Sequence, residues 1–547
     1  MKIKSLLIGM LASTAFVACT NDESPVNNEQ AVVGGEKQYV AVNLVMPSDA
    51  TNRAVNDNEF AKGSEDENTV SKAVFLFFNE KFEGCAAPCV VENLELDDET
   101  KVAHQDKKAT VLVIENGDKQ VPAYIAAVIN PTKNYTATTK LSDLQGEQLA
   151  YASSDYTKKG TFVMTNAVYK GEQNLPVIAT PITIDQVCSS QGDAEKKPVQ
   201  IQVERVVARV DVKNLNTATW NHGKDKNGNQ ITETYTDGSP LNLTLKVNGW
   251  QVLQNKKSNL IKNVDVTWTH NWWNDLARQR SYWAKDYATE GRQKFTVAQM
   301  TMIESKYVEE TVSQNPNTSE ADNVNPYLLV TGQFVKTVDG EVVVDKDGNP
   351  EPVQLVEWRG EKYTEEDYLK FIATNPNVSK YWYKDGETWK QFNTGLLTME
   401  ATGAHDWEAE AKLNNNEITF YTVTLKKNEA GENVVTGQTL APEGAVDNAI
   451  AAFGKVQYWK NGNTYYYVPI EHQTVGTGDN KEVYYGVVRN HVYELTINGI
   501  TGFGTAVANP EEAIDEPEKP TDDKSYLAAD VVVLKWRVVK QSVTLGE

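Results

Sequence analysis

Apolar residues recur at every second position along most of this chain, in short runs bounded by turn-forming residues. That period of two predicts β-strands. The first run, 38–46, places Val40, Val42, Leu44 and Met46 on one face. Further runs predict strands at Ala73–Phe78, Ala109–Ile114, Pro122–Ile129, Thr161–Met164, Pro176–Ile184 and Val199–Val212. The second half adds Leu241–Val252, Val264–Trp268, Pro326–Phe334, Glu417–Leu425 and Thr464–Pro469. Helical signals are sparse. Leu141–Tyr151 predicts one short helix, and Thr364–Ala373 opens with a capping-box pattern that predicts another. Short strands at this spacing, with little helix between them, predict β-sandwiches.

Composition narrows the function classes. The 547 residues exceed one ordinary domain, and 40% hydrophobic with 23% charged residues is a globular balance. Lys and Arg number 53 against 75 Asp and Glu, a formal net charge of -22. A nucleic-acid binder needs a basic face to neutralise phosphates, so no nucleic-acid partner is expected. Six His and four Cys leave little material for a His/Cys metal enzyme. Twelve Trp and 24 Tyr suit half-buried pleated surfaces.

The two ends carry the most specific signals. Residues 1–18 have Lys2 and Lys4 ahead of an apolar core, Leu6–Val17, too short to span a bilayer, and therefore read as a secretion signal. Small and apolar residues directly before Cys19 resemble a bacterial lipobox, which makes Cys19 the lipidation site and the membrane a partner only through that lipid on the precursor. Residues 20–36 read as a polar tether. After the first strand run, Arg53-Ala54 lies in an exposed polar loop, a good target for a protease. At the other end, Asn509–Lys524 carries three prolines among acids and reads as an extended linker. A long β-run follows it, with Val532, Leu534, Trp536 and Val538 on one face. An apolar strand on a flexible leash must dock, in its own domain or in a neighbour.

Between the ends, no Gly-x-Ser-x-Gly elbow, His-Glu-x-x-His or P-loop occurs, so no catalytic, metal or cofactor residues are assigned. His472 and His491 have no base–nucleophile partner beside them and read as structural or surface residues. Asp225–Asn229 and Asp345–Asn349 contain Asp/Asn-Gly and read as turns, since neither has the Glu that an EF-hand loop requires. Cys85 and Cys89 fit either a disulfide or two small core residues, and with Cys188 they form no zinc pattern. Trp272, Trp273, Trp283, Tyr381, Trp382, Tyr383 and Trp389 crowd one region. They read as packing, the alternative being a grip on sugar or protein.

Five segments in this order resemble the fimbrillins of type V pili, in particular the minor-fimbrium shaft subunit, which are outer-membrane lipoprotein precursors of the Bacteroidetes. They are the lipobox at Cys19, Arg53-Ala54 after a strand, Val203-Glu204-Arg205-Val206-Val207-Ala208-Arg209-Val210, Gly486-Val487-Val488-Arg489-Asn490-His491-Val492-Tyr493-Glu494-Leu495, and the acidic linker with its terminal strand. Lys535 stands where the family usually has Pro. Residues 255–450 carry little of the resemblance.

The resemblance implies a mainly β protein of two β-sandwich, transthyretin-like domains with a short helical insertion and a C-terminal donor strand. It implies a signal peptide (1–18), a propeptide with a removable first strand (19–53), sandwiches at 54–197 and 198–508, a linker (509–526) and the donor strand (527–547). It further implies a pilin cut after Arg53 and polymerised by strand donation. Its partners would be other copies of itself, the arginine-specific protease, accessory anchor and tip subunits, and host or bacterial surface ligands. The precursor would sit in the outer membrane and the mature form on the cell surface in the fimbrium, supporting adhesion. Having both a removable first strand and a donatable last strand fits a shaft subunit better than a tip or an anchor. The alternative is a glycan- or protein-binding lipoprotein that stays anchored in the outer membrane.

Overall fold

The computed structural model describes residues 37–45, 63–94, 110–115, 122–150, 157–158, 160–170, 176–215, 242–253, 257–262, 294–312, 326–475, 482–500, 502–514 and 537–545. Strands dominate them, which bears out the mainly β reading.

The first body is built on strands β1 (Lys37–Val45), β2 (Val70–Phe78), β3 (Cys89–Leu94), β4 (Thr110–Glu115), β5 (Tyr124–Ile129), β6 (Met164–Asn166) and β7 (Val199–Arg205), with a one-turn helix α1 (Glu65–Asn68) before β2. Their order in the sheet is β3-β2-β5-β6-β7-β1-β4. The core holds the side chains of Val74, Phe75, Leu76, Phe77 and Phe78, Ile125–Ile129, and Val199, Ile201 and Val203. β2 and β5 are buried along nearly their whole length, so both read as continuous apolar runs rather than alternating ones.

The second body begins one residue after the first ends. β8 (Val207–Lys213) continues the line of β7 past Val206. It is followed by β9 (Leu243–Leu253), β10 (Ser305–Glu309) and β11 (Tyr327–Val338). After residue 354 an insert forms its own core from Val356, Tyr368, Ile372, Val378, Tyr381, Phe420, Ile450 and Tyr458. The insert carries α2 (Glu365–Thr374) and a sheet of β12 (Tyr381–Asp385), β13 (Thr388–Gln391), β14 (Phe420–Lys427) and β15 (Asn433–Leu440), in the order β13-β12-β14-β15. Helix α2 starts where the capping pattern predicts: the Thr364 hydroxyl accepts from Asp367 N–H, and Tyr368, Leu369, Ile372 and Ala373 turn inward. The second body then resumes with β16 (Asn463–Pro469), β17 (His491–Ile500) and the terminal β18 (Arg537–Leu545).

Two sheets, β10-β8-β17-β18 and β9-β11-β16, share one core. Val210 and Tyr493 come from the first; Trp250, Leu328, Phe334 and Tyr466 come from the second. The Trp250 indole N–H donates to Ile303 O at 2.6 Å, so the largest buried ring leaves no unpaired donor.

The helix predicted over Leu141–Tyr151 is shorter than expected. It runs Leu141–Gln145 and stops at Gly146, and Gln148–Ala150 is extended. Asp345–Asn349 is a turn: the Asp345 carboxylate accepts from Asp347 and Asn349 N–H, and Gly348 takes φ +83°. Asp225–Asn229 lies outside the described residues. Cys85 is a free thiol, pushed up to about 11 by burial, so it makes no disulfide with Cys89, which lies buried in the core.

Candidate functional site: an enclosed strand and a buried clasp

β1 is held on every side. On one edge it runs parallel to β7, with Val42 opposite Val199 and Val45 opposite Gln202. On the other it runs antiparallel to β4, from Lys37 opposite Glu115 to Val42 opposite Thr110. Nearer its start, Tyr39 N–H donates to Cys188 O at 2.8 Å and Cys188 N–H returns a bond to Tyr39 O at 2.9 Å. Val40 and Val42 lie in the main core, whereas Ala41 faces the other way and packs on Ala194. Both faces are therefore covered, although the sequence alternation suggested one apolar face. Taking β1 away would leave a slot between β7 and β4 with unpaired backbone on both walls.

The second body repeats this arrangement. Its first strand, β8, runs parallel to its late strand β17 and antiparallel to β10, as β1 runs to β7 and β4. The terminal β18 lies on the free edge of β17, also parallel, with Arg537 opposite His491 and Val538 opposite Val492. Of the residues expected to act, Val538 is thus placed in β18. Cys19, Arg53, Ala54, Val532, Leu534 and Trp536 lie outside the described residues.

Where the two bodies meet, the charged residues of the two central sequence motifs converge. Arg205 is buried; its guanidinium donates to Glu67 O at 3.1 Å, to Asn490 Oδ1 at 3.1 Å and to Asn68 Oδ1. Arg209 Nη1 reaches Glu67 Oε1 at 2.7 Å, and the Tyr307 hydroxyl donates to the same oxygen at 2.8 Å. The other Glu67 oxygen accepts from Ser64 N–H at 2.6 Å, closing a capping box on α1. Asn490 N–H donates to Val207 O at 2.8 Å across the junction.

Beside this lies a second buried group. Arg489 Nε meets Glu310 Oε2 at 2.7 Å, Lys262 Nζ meets Glu310 Oε1 at 3.3 Å, and the rest of the Arg489 fork donates to Leu260 O and Asn259 O at 2.8 and 2.6 Å. His472 and His491 are buried and structural. The Tyr493 hydroxyl accepts from Val488 N–H and pairs with His472 Nδ1, and His491 Nδ1 pairs with Arg489 O.

Electrostatics explain why these charges survive burial. Desolvation alone would raise the Glu67 carboxyl, but Arg209, Ser64 N–H and the Tyr307 hydroxyl outweigh it and hold it below its ordinary value. Burial works against Glu310 in the same way and is overcome by Lys262 and Arg489, so its carboxyl is also held low. Burial pulls Arg205 down to about 10, still fully charged at neutral pH.

A carboxyl lowered on folding stabilises the fold above its ordinary value of 4.5, and that stabilisation is lost as pH falls through the lowered value. The melting temperature is therefore expected to hold down to about pH 5 and then drop, and Glu67→Gln should flatten part of the drop. A loss already present near pH 6 would implicate the histidines instead.

Sequence reading picked out these motifs only as marks of resemblance. Their structural role was signalled by Arg205 and Arg209 standing in strands rich in valine, and by Arg489 standing in the turn between two such strands. Arg209 pairs locally with Asp211, two residues on, but the distant carboxylates, Glu67 for Arg209 and Glu310 for Arg489, carried no signal. Among the described residues, no group of three or more His, Cys, Asp or Glu could hold a metal ion, and no helix is long and apolar enough to cross a membrane.

Residues 457–542, from just before β16 through most of β18, match the family model described as major fimbrial subunit protein type IV, fimbrillin, C-terminal. The fimbrillin resemblance read from the sequence is borne out there. Similar solved structures include a fimbrial assembly protein from Parabacteroides distasonis, 10% identical, covering 73% of this chain and 100% of that one at a TM-score of 0.26. Another is the C-terminally truncated tip fimbrial protein Mfa3 from Porphyromonas gingivalis, 12% identical, covering 57% of this chain and 85% of that one at 0.27. No curated protein matches the chain.

Proposed function

We propose that this chain is a structural subunit of a cell-surface fimbrium, exported as a lipoprotein through Cys19, cut after Arg53 and polymerised by donation of its C-terminal strand. The observation that carries the reading is the enclosure of β1. It is a first strand, bonded along both edges, whose removal leaves a slot in the shape of one strand. The chain's own last strand adds to β17 in the same parallel sense in which β1 adds to β7. A tail of this kind, entering the slot of another copy, would restore the ladder bonds and refill the apolar pockets.

A cut after Arg53 separates β1 from the rest but keeps α1 with the mature chain. Glu67 would go on clasping Arg205 and Arg209 while the strand leaves. Four or five inward apolar side chains at ~1.5–3 kcal/mol each give about 6–15 kcal/mol gross. Association and strand ordering subtract several kcal/mol of that, and tight contacts remain. Head-to-tail donation is heterologous and does not close, so it makes a filament. Having both a vacatable slot and a donatable tail fits a shaft position, with separate tip and anchor subunits as partners and an arginine-specific protease as trigger.

Deleting 527–547 tests this. The truncated chain, cut after Arg53, is expected to stay monomeric where the intact chain forms multimers. Normal polymerisation of the truncated chain would sink the reading.

A further inference from the structure

The sheet β13-β12-β14-β15 turns one face to the insert's core, through Tyr381 and Phe420, and the other to solvent. Residues directly opposite each other across a ladder share a face. Trp382 stands opposite both Gln391 and Tyr421, Lys384 opposite Trp389, Tyr421 opposite Leu440, and Val423 opposite Gln438. All of these lie on the outward face, and none is buried. The Trp389 and Tyr421 rings meet edge to face at 5.3 Å above β12, and Lys384 Nζ lies 5.2 Å from the Trp389 centroid. Leu440 is 62% exposed.

Two features describe the donors of this face. The indole N–H groups of Trp250, Trp358 and Trp459 each donate to a backbone carbonyl. Trp382, Trp389 and the Tyr421 hydroxyl make no hydrogen bond among the described residues. Second, Lys362, Lys390, Lys412 and Lys455 of the insert each meet a carboxylate, whereas Lys370, Lys380 and Lys426 meet none among the described residues. Lys384 and Lys427 on this face meet none, and no Asp or Glu occupies its strand positions. A positive patch with unspent donors thus sits on a chain of net charge -22.

We propose that this face is a shallow binding site for an anionic glycan. The apolar C–H face of a sugar ring lies on the Trp382–Tyr421–Trp389 ridge. Its hydroxyls take the indole and phenol donors and the amides of Gln391 and Gln438. Its carboxylate or sulfate is held by Lys384. Four strands and about five residues of each make a platform of roughly 14 by 17 Å. That is far below the ~800 Å² per partner of a stable protein interface, and it suits one to three sugar rings. The site gives a ligand class to the adhesive role and rests on the chain's display at the cell surface. Binding by the purified chain needs no assembly, so failure here and failure of polymerisation are read separately.

The test is titration of the full-length chain with sialyllactose, sulfated lactose and plain lactose, followed by tryptophan fluorescence and calorimetry. Binding of either anionic sugar about tenfold more tightly than lactose is expected, an advantage equal to one charge-assisted contact. Which of the two binds identifies the acid group. Lys384→Glu should abolish the advantage of the anionic sugars over lactose. Trp389→Ala should remove binding of all three with the circular dichroism spectrum unaltered. The proposal is overturned if neither anionic sugar binds the folded chain, or if folded Trp389→Ala binds as wild type. It is equally overturned if Trp389→Ala instead abolishes a concentration-dependent self-association, which would make the face a protein contact.

Discussion

Glu310→Ala is expected to destabilise the folded chain by about 3–5 kcal/mol, the range for breaking a buried ion pair by removing one partner. Glu310 is buried between Arg489 and Lys262, and its two oxygens serve one cation each. Without it the two cations face each other. The Glu204 carboxylate lies 3.8 Å from Lys262. Arg489 would keep its bonds to Leu260 O and Asn259 O, so its fork would stay in place while its charge lost its compensation. Chemical denaturation should show the midpoint falling with the slope unchanged. The paired change Glu310→Met with Arg489→Met should cost much less than the single one, because it removes charge from both sides. Equal losses for the single and paired variants would mean that packing, not the ion pair, carries the effect.

The second large effect is expected from emptying the slot. A chain begun at Ala54 and lacking 527–547 keeps neither its own first strand nor a tail with which to fill a neighbour. Val40 and Val42 are almost wholly buried, and two valines alone represent roughly 3–6 kcal/mol of burial. Each ladder bond lost along both edges adds about 0.5–1.5 kcal/mol. This doubly shortened chain is expected to melt well below the full one, to bind a hydrophobic dye and to aggregate, since it exposes two strand edges. A synthetic peptide of residues 528–545 should restore the melting temperature and displace the dye. A scrambled peptide of the same composition should not, because register depends on the alternation of side chains. If the doubly shortened chain proved as stable as the full one, β1 would be a dispensable edge and the slot would have no role.

Much of the architecture could be read from alternation. The first strand was expected at 38–46 and runs Lys37–Val45; Leu241–Val252 became Leu243–Leu253; Thr464–Pro469 became Asn463–Pro469. Helix α2 was legible because its cap is local, the Thr364 hydroxyl answering Asp367 three residues on. What could not be read was long-range. The parallel pairing of β1 with β7 joins residues such as Val42 and Val199 that no local pattern connects. In the insert the sequence predicted only the helix Thr364–Ala373 and the strand Glu417–Leu425, beside an aromatic cluster. It closes a core of its own, because strands such as Leu397–Ala401 and Glu408–Leu413 pair within the insert, with Ala508 joining from outside it. The partners of Arg205 and Arg489 were hidden for the same reason: Glu67 and Glu310 are ordinary acids in sequence and special only once folding buries them. The aromatic cluster divides. Tyr381 is core packing, while Trp382 and Trp389 share the outward face.

The central claim is that removal of β1 lets the tail of one copy enter the slot of the next. The most direct measurement treats the purified full-length chain with an arginine-specific protease, reads the new N-terminus, and runs the product unboiled on a denaturing gel. The account predicts a start at Ala54 and a ladder of multimers that collapses to monomer on boiling. A chain that is cut at Ala54 yet runs as monomer, or that resists the protease altogether, would contradict it.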